Sequence, residues 1–229
     1  MKSIVNFKLL LIVGLSFLRS CFSRVEDCPN VESPFKDLLI REIQLNPYSG
    51  YLTLATIEKN RPRARTVLFQ GLVEKPDGSI GICIKAHVNS SKITQSDSPA
   101  VEIVWWMEKT GVQFRFSGNI SYDDELERHR VWRELNPAAK SQFFYNAAAG
   151  LDVSPKGPLF KEEIQRVKEK GLSDPPETFV VGILLPSEVD FLDLNTLKRH
   201  RWTRNETSTK EEYFWIEKKG YAPPVVSIV

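Results

Sequence analysis

Arg61-Pro-Arg-Ala-Arg65-Thr-Val-Leu-Phe69, followed after a turn and a second apolar run by His87-Val-Asn-Ser-Ser-Lys92, is the stretch whose reading decides the fold. A strand carries an arginine beside apolar residues. Lys75-Pro-Asp-Gly78 then reads as a tight turn, and Ser79 to Lys85 as the returning strand. The hairpin delivers Ser90-Ser-Lys92 to the start of a short helix over 90–96. Serine hydroxyls, backbone N–H groups and a lysine at one place, with Arg65 on the adjoining strand, make a phosphate cradle. The competing reading of the same residues is plainer, with Arg65 a solvated strand residue and Ser-Ser-Lys a helix cap.

Strand signals continue outward from this hairpin. Tyr51 to Ile57 precedes it. After it, Ala100 to Met107 is nearly continuous apolar, as a fully buried strand would be, and Gln113 to Ser121 alternates. Thr178 to Leu185, Glu188 to Leu194, Arg201 to Arg204 and Glu212 to Glu217 return to strand character, giving about seven strands. Helices are expected at 33–45, with Ser33 as N-cap and Pro34 in the first turn, at 123–135, and in a short amphipathic stretch at 161–169. Residues 150–178 read as a long loop excursion. The sum is a mainly β protein, a β-barrel with flanking helices.

Composition narrows the function. With 31 basic against 29 acidic residues and no basic block, nothing points to nucleic acid. His87, His129 and His200 are scattered, with no metal-ligand spacing, so no metal site is expected. Residues 1–23 combine Lys2 and Lys8, an apolar run from Leu9 to Leu18, and a small-residue exit at Ser23. This reads as a secretory signal peptide, too short to span a bilayer, which takes about 20 apolar residues. Removing 23 of 229 residues leaves 206, one large domain at 24–229 with no stable membrane span. Only Cys28 and Cys83 then remain, which is no disulfide framework, and Cys83 sits in an apolar run as a buried thiol would. Export would expose the sequons at Asn89, Asn119 and Asn205 to glycosylation, with Asn205, in an expected polar turn, the most accessible.

The order of the motifs adds a resemblance. Arg65-Thr-Val-Leu68, Ser90-Ser-Lys92, Val101-Glu-Ile-Val-Trp-Trp106 and Gln113-Phe-Arg-Phe-Ser-Gly118 follow one another here as in the pyridoxamine 5′-phosphate oxidase-like flavoproteins with an Alr-type FMN-binding domain. Trp132 to Phe143, and Val189 to Leu194 with Arg201-Trp202, are similar to that branch's helical element and closing motif. The resemblance spans about residues 33–218. It implies an FMN-binding split β-barrel, with Arg65 and Lys92 on the FMN phosphate and Ser90 or Ser91 adding hydrogen bonds. It further implies Val67 and Leu68 presenting backbone groups to the ring, Gln113 at the isoalloxazine edge, and Arg201 reaching the flavin, across a homodimer interface. Departures are equally specific. Gln70 stands where oxidases of pyridoxamine phosphate carry a substrate-binding lysine, and Asn89 where the branch often has arginine. The flavin half of the motif set is kept and the vitamer half mostly lost. The expected function is therefore an FMN-binding flavoprotein, an oxidoreductase acting on a small substrate. The alternatives are a non-enzymatic flavin-binding or sequestering protein, and a secreted barrel module that has lost FMN.

N-terminal sequencing of secreted material should find a chain starting near Arg24; an intact Met1 in a soluble cytosolic pool would remove the secretory reading.

Overall fold

The computed structural model describes residues 33–94, 98–144, 165–169, 173–206 and 213–221. The proposed signal peptide, Cys28 and most of the 150–178 excursion lie outside these residues. Eight antiparallel strands carry the fold: β1 (Tyr51–Glu58), β2 (Arg61–Glu74), β3 (Ile80–His87), β4 (Ala100–Met107), β5 (Val112–Ser121), β6 (Phe179–Asp193), β7 (Lys198–Glu206) and β8 (Tyr213–Tyr221). Their order is β3-β2-β1-β4-β5-β6-β7-β8. A further pairing of β3 with β6 closes the first six into a barrel and leaves β7 and β8 as a hairpin extension. Helices α1 (Lys36–Leu45), α2 (Ser91–Thr94), α3 (Glu125–Glu134) and α4 (Pro137–Ser141) decorate it, and residues 165–169 are helical.

The local chemistry explains the turns. Lys59 and Asn60, both at positive φ (48° and 61°), join β1 to β2 as a two-residue hairpin turn that matches strand twist. The expected Pro76-Asp77-Gly78 turn joins β2 to β3: Gly78 takes φ 77°, and the Asp77 carboxylate accepts hydrogen bonds from the Ser79 N–H and hydroxyl. The α1 helix starts later than expected. Ser33 does not cap it; its hydroxyl turns to the Gly78 carbonyl and its own carbonyl receives the Lys36 N–H. Phe35, fully buried, anchors that end instead, with its ring 5.3–6.2 Å from those of Trp215, Trp202 and Phe116.

Two cores follow from strand alternation. Leu52, Leu54, Ile82, Ile84, Ile103 and Phe114 point into the barrel with Phe35 and Trp105. Cys83, Val181 and Ile183, on the opposite face of β3 and β6, lie under Trp132 of α3 and Phe143 beyond α4. Trp132 is fully buried, and losing an aromatic side chain from such a site costs about 3–5 kcal/mol. Burial pushes the Cys83 thiol up to about 12, so it is an inert core thiol, as the sequence suggested.

Three further expectations need correcting. The two strands expected at 178–185 and 188–194 are one 15-residue strand, β6, with a register shift opposite Ser117 and Gly118 instead of a break. The described residues hold eight strands instead of about seven, β7 and β8 are both longer than expected, and Asn205 lies within β7, paired with Phe214, not in a turn. Strand β4 is buried on one face only, because its outer side carries Glu102 and an exposed Trp106.

Gly118 sits at the β5–β6 shift, where a Cβ would lie 2.1 Å from the Leu185 carbonyl oxygen and 2.8 Å from Pro186 Cα. Backbone atoms cannot step aside there. Gly118→Ala should therefore destabilise by at least the roughly 1–3 kcal/mol typical of overpacking, read from a denaturant midpoint. An unchanged midpoint would mean that the bulge is not needed.

Candidate functional site

A cleft of about 330 Å³ opens on the outer face of β2 and β3. Ile82 and Ile84 point into the barrel, so Lys85 and His87 project outward, beside Thr66 and Leu68 of β2 and Tyr51 of β1. Gln142 and Phe143 form a wall, with the Phe143 ring stacked on His87 at 6.3 Å. Lys92 of α2 and the residues Val67 and Ala86 complete the lining. The Val67 side chain is committed to the barrel core, which leaves its backbone as what it can offer a ligand.

Of the two expected phosphate cations, Lys92 lines the cleft and Arg65 does not. Arg65 faces the barrel end, where one guanidinium nitrogen, Nη1, donates to Thr56 Oγ1 (2.6 Å) and the Arg63 carbonyl (3.0 Å). It does not itself line the cleft, but it lies close enough to Lys92 for its charge to act there. Burial, and secondarily the Arg65 charge, hold the Lys92 ammonium below its ordinary value. Burial also lowers Arg65 and Lys85. Among the described residues neither lysine has a carboxylate within ion-pair distance. Half-buried cations without an anion are costly, and an anionic ligand relieves that cost. Tyr122, packed against the barrel core, has a buried hydroxyl with no hydrogen-bond partner among the described residues; burial pushes it up to about 12 and the nearby Arg65 charge opposes that rise.

The Ser-Ser-Lys segment is a turn followed by four helical residues. Ser90 N–H donates to the His87 carbonyl and the Asn89 N–H to His87 Nδ1 (3.1 Å). So short a helix has little dipole to offer, and the segment works by placing Lys92. Gln70 marks a bulge between Phe69 and Gly71; its amide donates to the Phe69 carbonyl at 2.7 Å, so its side chain is turned back on its own strand.

Gln113 and Arg201 lie elsewhere. Both belong to the outer sheet face, where the register aligns Thr66, Thr53, Val104, Arg115, Asp190 and Arg201 in one row from β2 to β7. Thr66 at one end of that row lines the cleft, and Arg201 stands at the other. Gln113 is half-buried on the neighbouring row beside exposed Trp106. Arg201 is engaged in an ionic network: it approaches Glu188 (3.4 Å) and Asp190 (3.5 Å), while Arg199 pairs with Asp190 and Arg115 with Glu102. Burial opposes ionisation of Asp190, but the hydrogen bonds and charges of Arg199, Arg201 and Arg115 outweigh it and hold the carboxyl below its usual value.

Lys85, His87, Gln142 and Phe143 were not singled out from the sequence as cleft residues. The signal available was the lysine at position 85 inside an otherwise apolar strand. Gln142 and Phe143 reach the cleft only through the packing of α3 and α4, which no local pattern reveals.

A closed six-stranded antiparallel barrel with a cation-flanked cleft on its outer face is the architecture of a split-barrel cofactor-binding protein. The chain belongs to the pyridoxamine 5′-phosphate oxidase family. The family model of its FMN-binding domain matches residues 32–123. Pyridoxine/pyridoxamine 5′-phosphate oxidase 2 of Arabidopsis thaliana is 31% identical over 200 residues, covering 81% of this chain and 96% of that protein. A pyridoxamine 5′-phosphate oxidase-related, FMN-binding protein of Nostoc punctiforme superposes with a TM-score of 0.68 at 26% identity, over 83% of this chain and 98% of that one. PhzG of Burkholderia lata shares the fold, with a TM-score of 0.65 at 19% identity over 89% of this chain and 98% of its own. FMN is the family's cofactor.

The Asp190 network gives a stability test. Its contribution is present above the carboxyl's unfolded value, near 3.9, and is lost as pH falls through the lower folded value. Asp190→Asn should cost about 2 kcal/mol at neutral pH, the buried-pair penalty discounted because the arginines are partly exposed. The difference from the parent should shrink in acid, as urea titrations at the two pH values would show; a pH-independent difference would count against the network.

Proposed function

We propose that the cleft holds FMN and that the protein is a flavin-dependent oxidoreductase on a small substrate. The observation that carries the reading is Lys92, half-buried, without a carboxylate partner among the described residues, next to Arg65 and in one cleft with Val67 and Leu68. A phosphate monoester needs such a pair of cations, and an aromatic ring needs the apolar slot that Leu68, Tyr51 and Phe143 line. Lys92 and Arg65 would hold the phosphate, with Ser90 or Ser91 adding hydrogen bonds. Val67 and Leu68 would flank the ring. Bound flavin supplies hydride acceptance, so the protein needs no catalytic triad or carboxylate pair of its own. The chain's residues bind, orient and exclude water.

Gln113 and Arg201 fit this reading only if a second subunit contributes them. The outer face of β2, β1 and β4 exposes Leu68, Tyr51, Ile57 and Trp106. We take this face, continuous with the cleft, as the homodimer surface, with Gln113 at the ring edge and Arg201 reaching the partner's flavin. Gln70, bonded to its own strand, gives no substrate cation, so turnover of pyridoxamine phosphate at the level of a dedicated oxidase is not expected. Export remains part of the proposal on the strength of residues 1–23. The non-enzymatic and flavin-free alternatives are separated by two observations: visible flavin absorption in the purified protein, and reduction of that flavin by a substrate.

Lys92→Ala or Arg65→Ala should weaken FMN by roughly one to two orders of magnitude, since a charge-assisted hydrogen bond contributes about 1.5–3 kcal/mol. Riboflavin should bind mutants and parent alike, whereas Gln113→Ala should weaken both ligands equally. Flavin fluorescence titration distinguishes these, and equal FMN affinity in parent, Lys92→Ala and Arg65→Ala would place the cofactor elsewhere.

FMN affinity of the parent should also fall at alkaline pH, and should begin to do so below the ordinary lysine value of about 10.4, because the free Lys92 ammonium is already destabilised. Riboflavin affinity should not share that limb. Parallel pH profiles for the two flavins would contradict the assignment.

A further inference from the structure

Lys85 has no role in the site as built so far. It lies on β3, a strand otherwise buried along nearly its whole length, and projects from the outer face between Leu68 of β2 and Val181 of β6. Its stem continues the second core of Cys83, Val181 and Phe143, and its ammonium opens on the cleft. This is how a lysine buries its methylenes while keeping its charge at a surface. Among the described residues no carboxylate stands within ion-pair distance of it.

Lys85 also stands on a different element from Lys92, on β3 and not on α2. Lys92 feels the Arg65 charge, whereas burial alone accounts for the lowering of Lys85. The register gives the same separation. Phe69 pairs with Ile84, so Lys85 follows beside Leu68, at the level assigned to the ring and not at the turn that carries Lys92. FMN has one phosphate, already matched to the pair. A second, distinct cationic point in the same cleft calls for a second anionic group.

We propose that Lys85 recognises the anionic group of the substrate, so that this cleft selects a small molecule with a phosphate or carboxylate. Lys85 is then the specificity-determining residue, supplying from β3 the cation that Gln70 does not supply from β2. The inference rests on the assignment of the cleft to FMN, and its test keeps the two apart.

The experiment uses the full protein saturated with FMN, with Lys85→Met to keep the apolar stem and Lys85→Arg to keep the charge. FMN and riboflavin affinities are measured first, and both should be the same in Lys85→Met as in the parent. Second-ligand binding is then read as perturbation of the oxidised flavin spectrum, with pyridoxamine 5′-phosphate against pyridoxamine, and benzoate against benzyl alcohol. At least one anionic probe should bind the parent more tightly than its uncharged-group counterpart. The same probe should bind Lys85→Met about 10- to 100-fold more weakly, with Lys85→Arg close to the parent. Loss confined to the phosphate probe identifies a phosphate ligand, and loss confined to benzoate a carboxylate. Equal probe affinity in parent and Lys85→Met, or no anionic probe bound by the parent, overturns the proposal while leaving the FMN site standing. Equal weakening of FMN and riboflavin in Lys85→Met overturns it too, by assigning Lys85 to the ring. A parent that binds no FMN fails the underlying reading instead.

Discussion

The structure depends on one strand being shared. β6 pairs with β3 through Phe179 to Leu184 and with β5 through Ile183 to Asp193, and its second half also carries β7. Closing the barrel in this way asks for backbones in close approach, and the sequence supplies glycine where a side chain would collide. A Cβ at Gly118 would meet the Leu185 carbonyl, and one at Gly182 would come within 2.7 Å of the Tyr122 ring. Closure also brings β3, and with it Lys85, His87 and the turn to Lys92, against helices that lie far along the chain.

That closure makes β3 and β6 different from their neighbours. Buried on one side by the barrel core and on the other by Trp132, Phe143 and Phe179, they can hold polar side chains only at the margin of the second core. The margin is where the cleft opens. Cations placed there are half-desolvated and lack the carboxylates that elsewhere on the surface pair with Arg115, Arg128, Arg130 and Arg199. By contrast with those paired arginines, Lys85 and Lys92 have no carboxylate within ion-pair distance among the described residues, so an anion from outside would relieve their desolvation.

Much of this was legible in the sequence because it rests on local signals. Period-two alternation located β5, the Pro-Asp-Gly turn located the β2–β3 hairpin, and of the residues named for the phosphate Lys92 lines the cleft. What was hidden depends on contacts distant in the chain. The apolar run of β4 looked doubly buried because Trp106 and Val104, on the outer face, cannot be told from core residues by hydropathy. The register shift in β6 around Pro186 and Ser187 resembled a break between two strands. The positions of Gln142 and Phe143 follow from how α3 and α4 pack on β6. Arg201 and Gln113 were named from resemblance, and within one chain neither lines the cleft.

A crystal structure of the protein grown with FMN tests the central claim most directly. The account predicts the phosphate within hydrogen-bonding distance of the Lys92 ammonium and the ring lying against Val67 and Leu68. A phosphate bound instead in the basic groove of Arg199, Arg201 and Lys218 at the β7–β8 hairpin would contradict it.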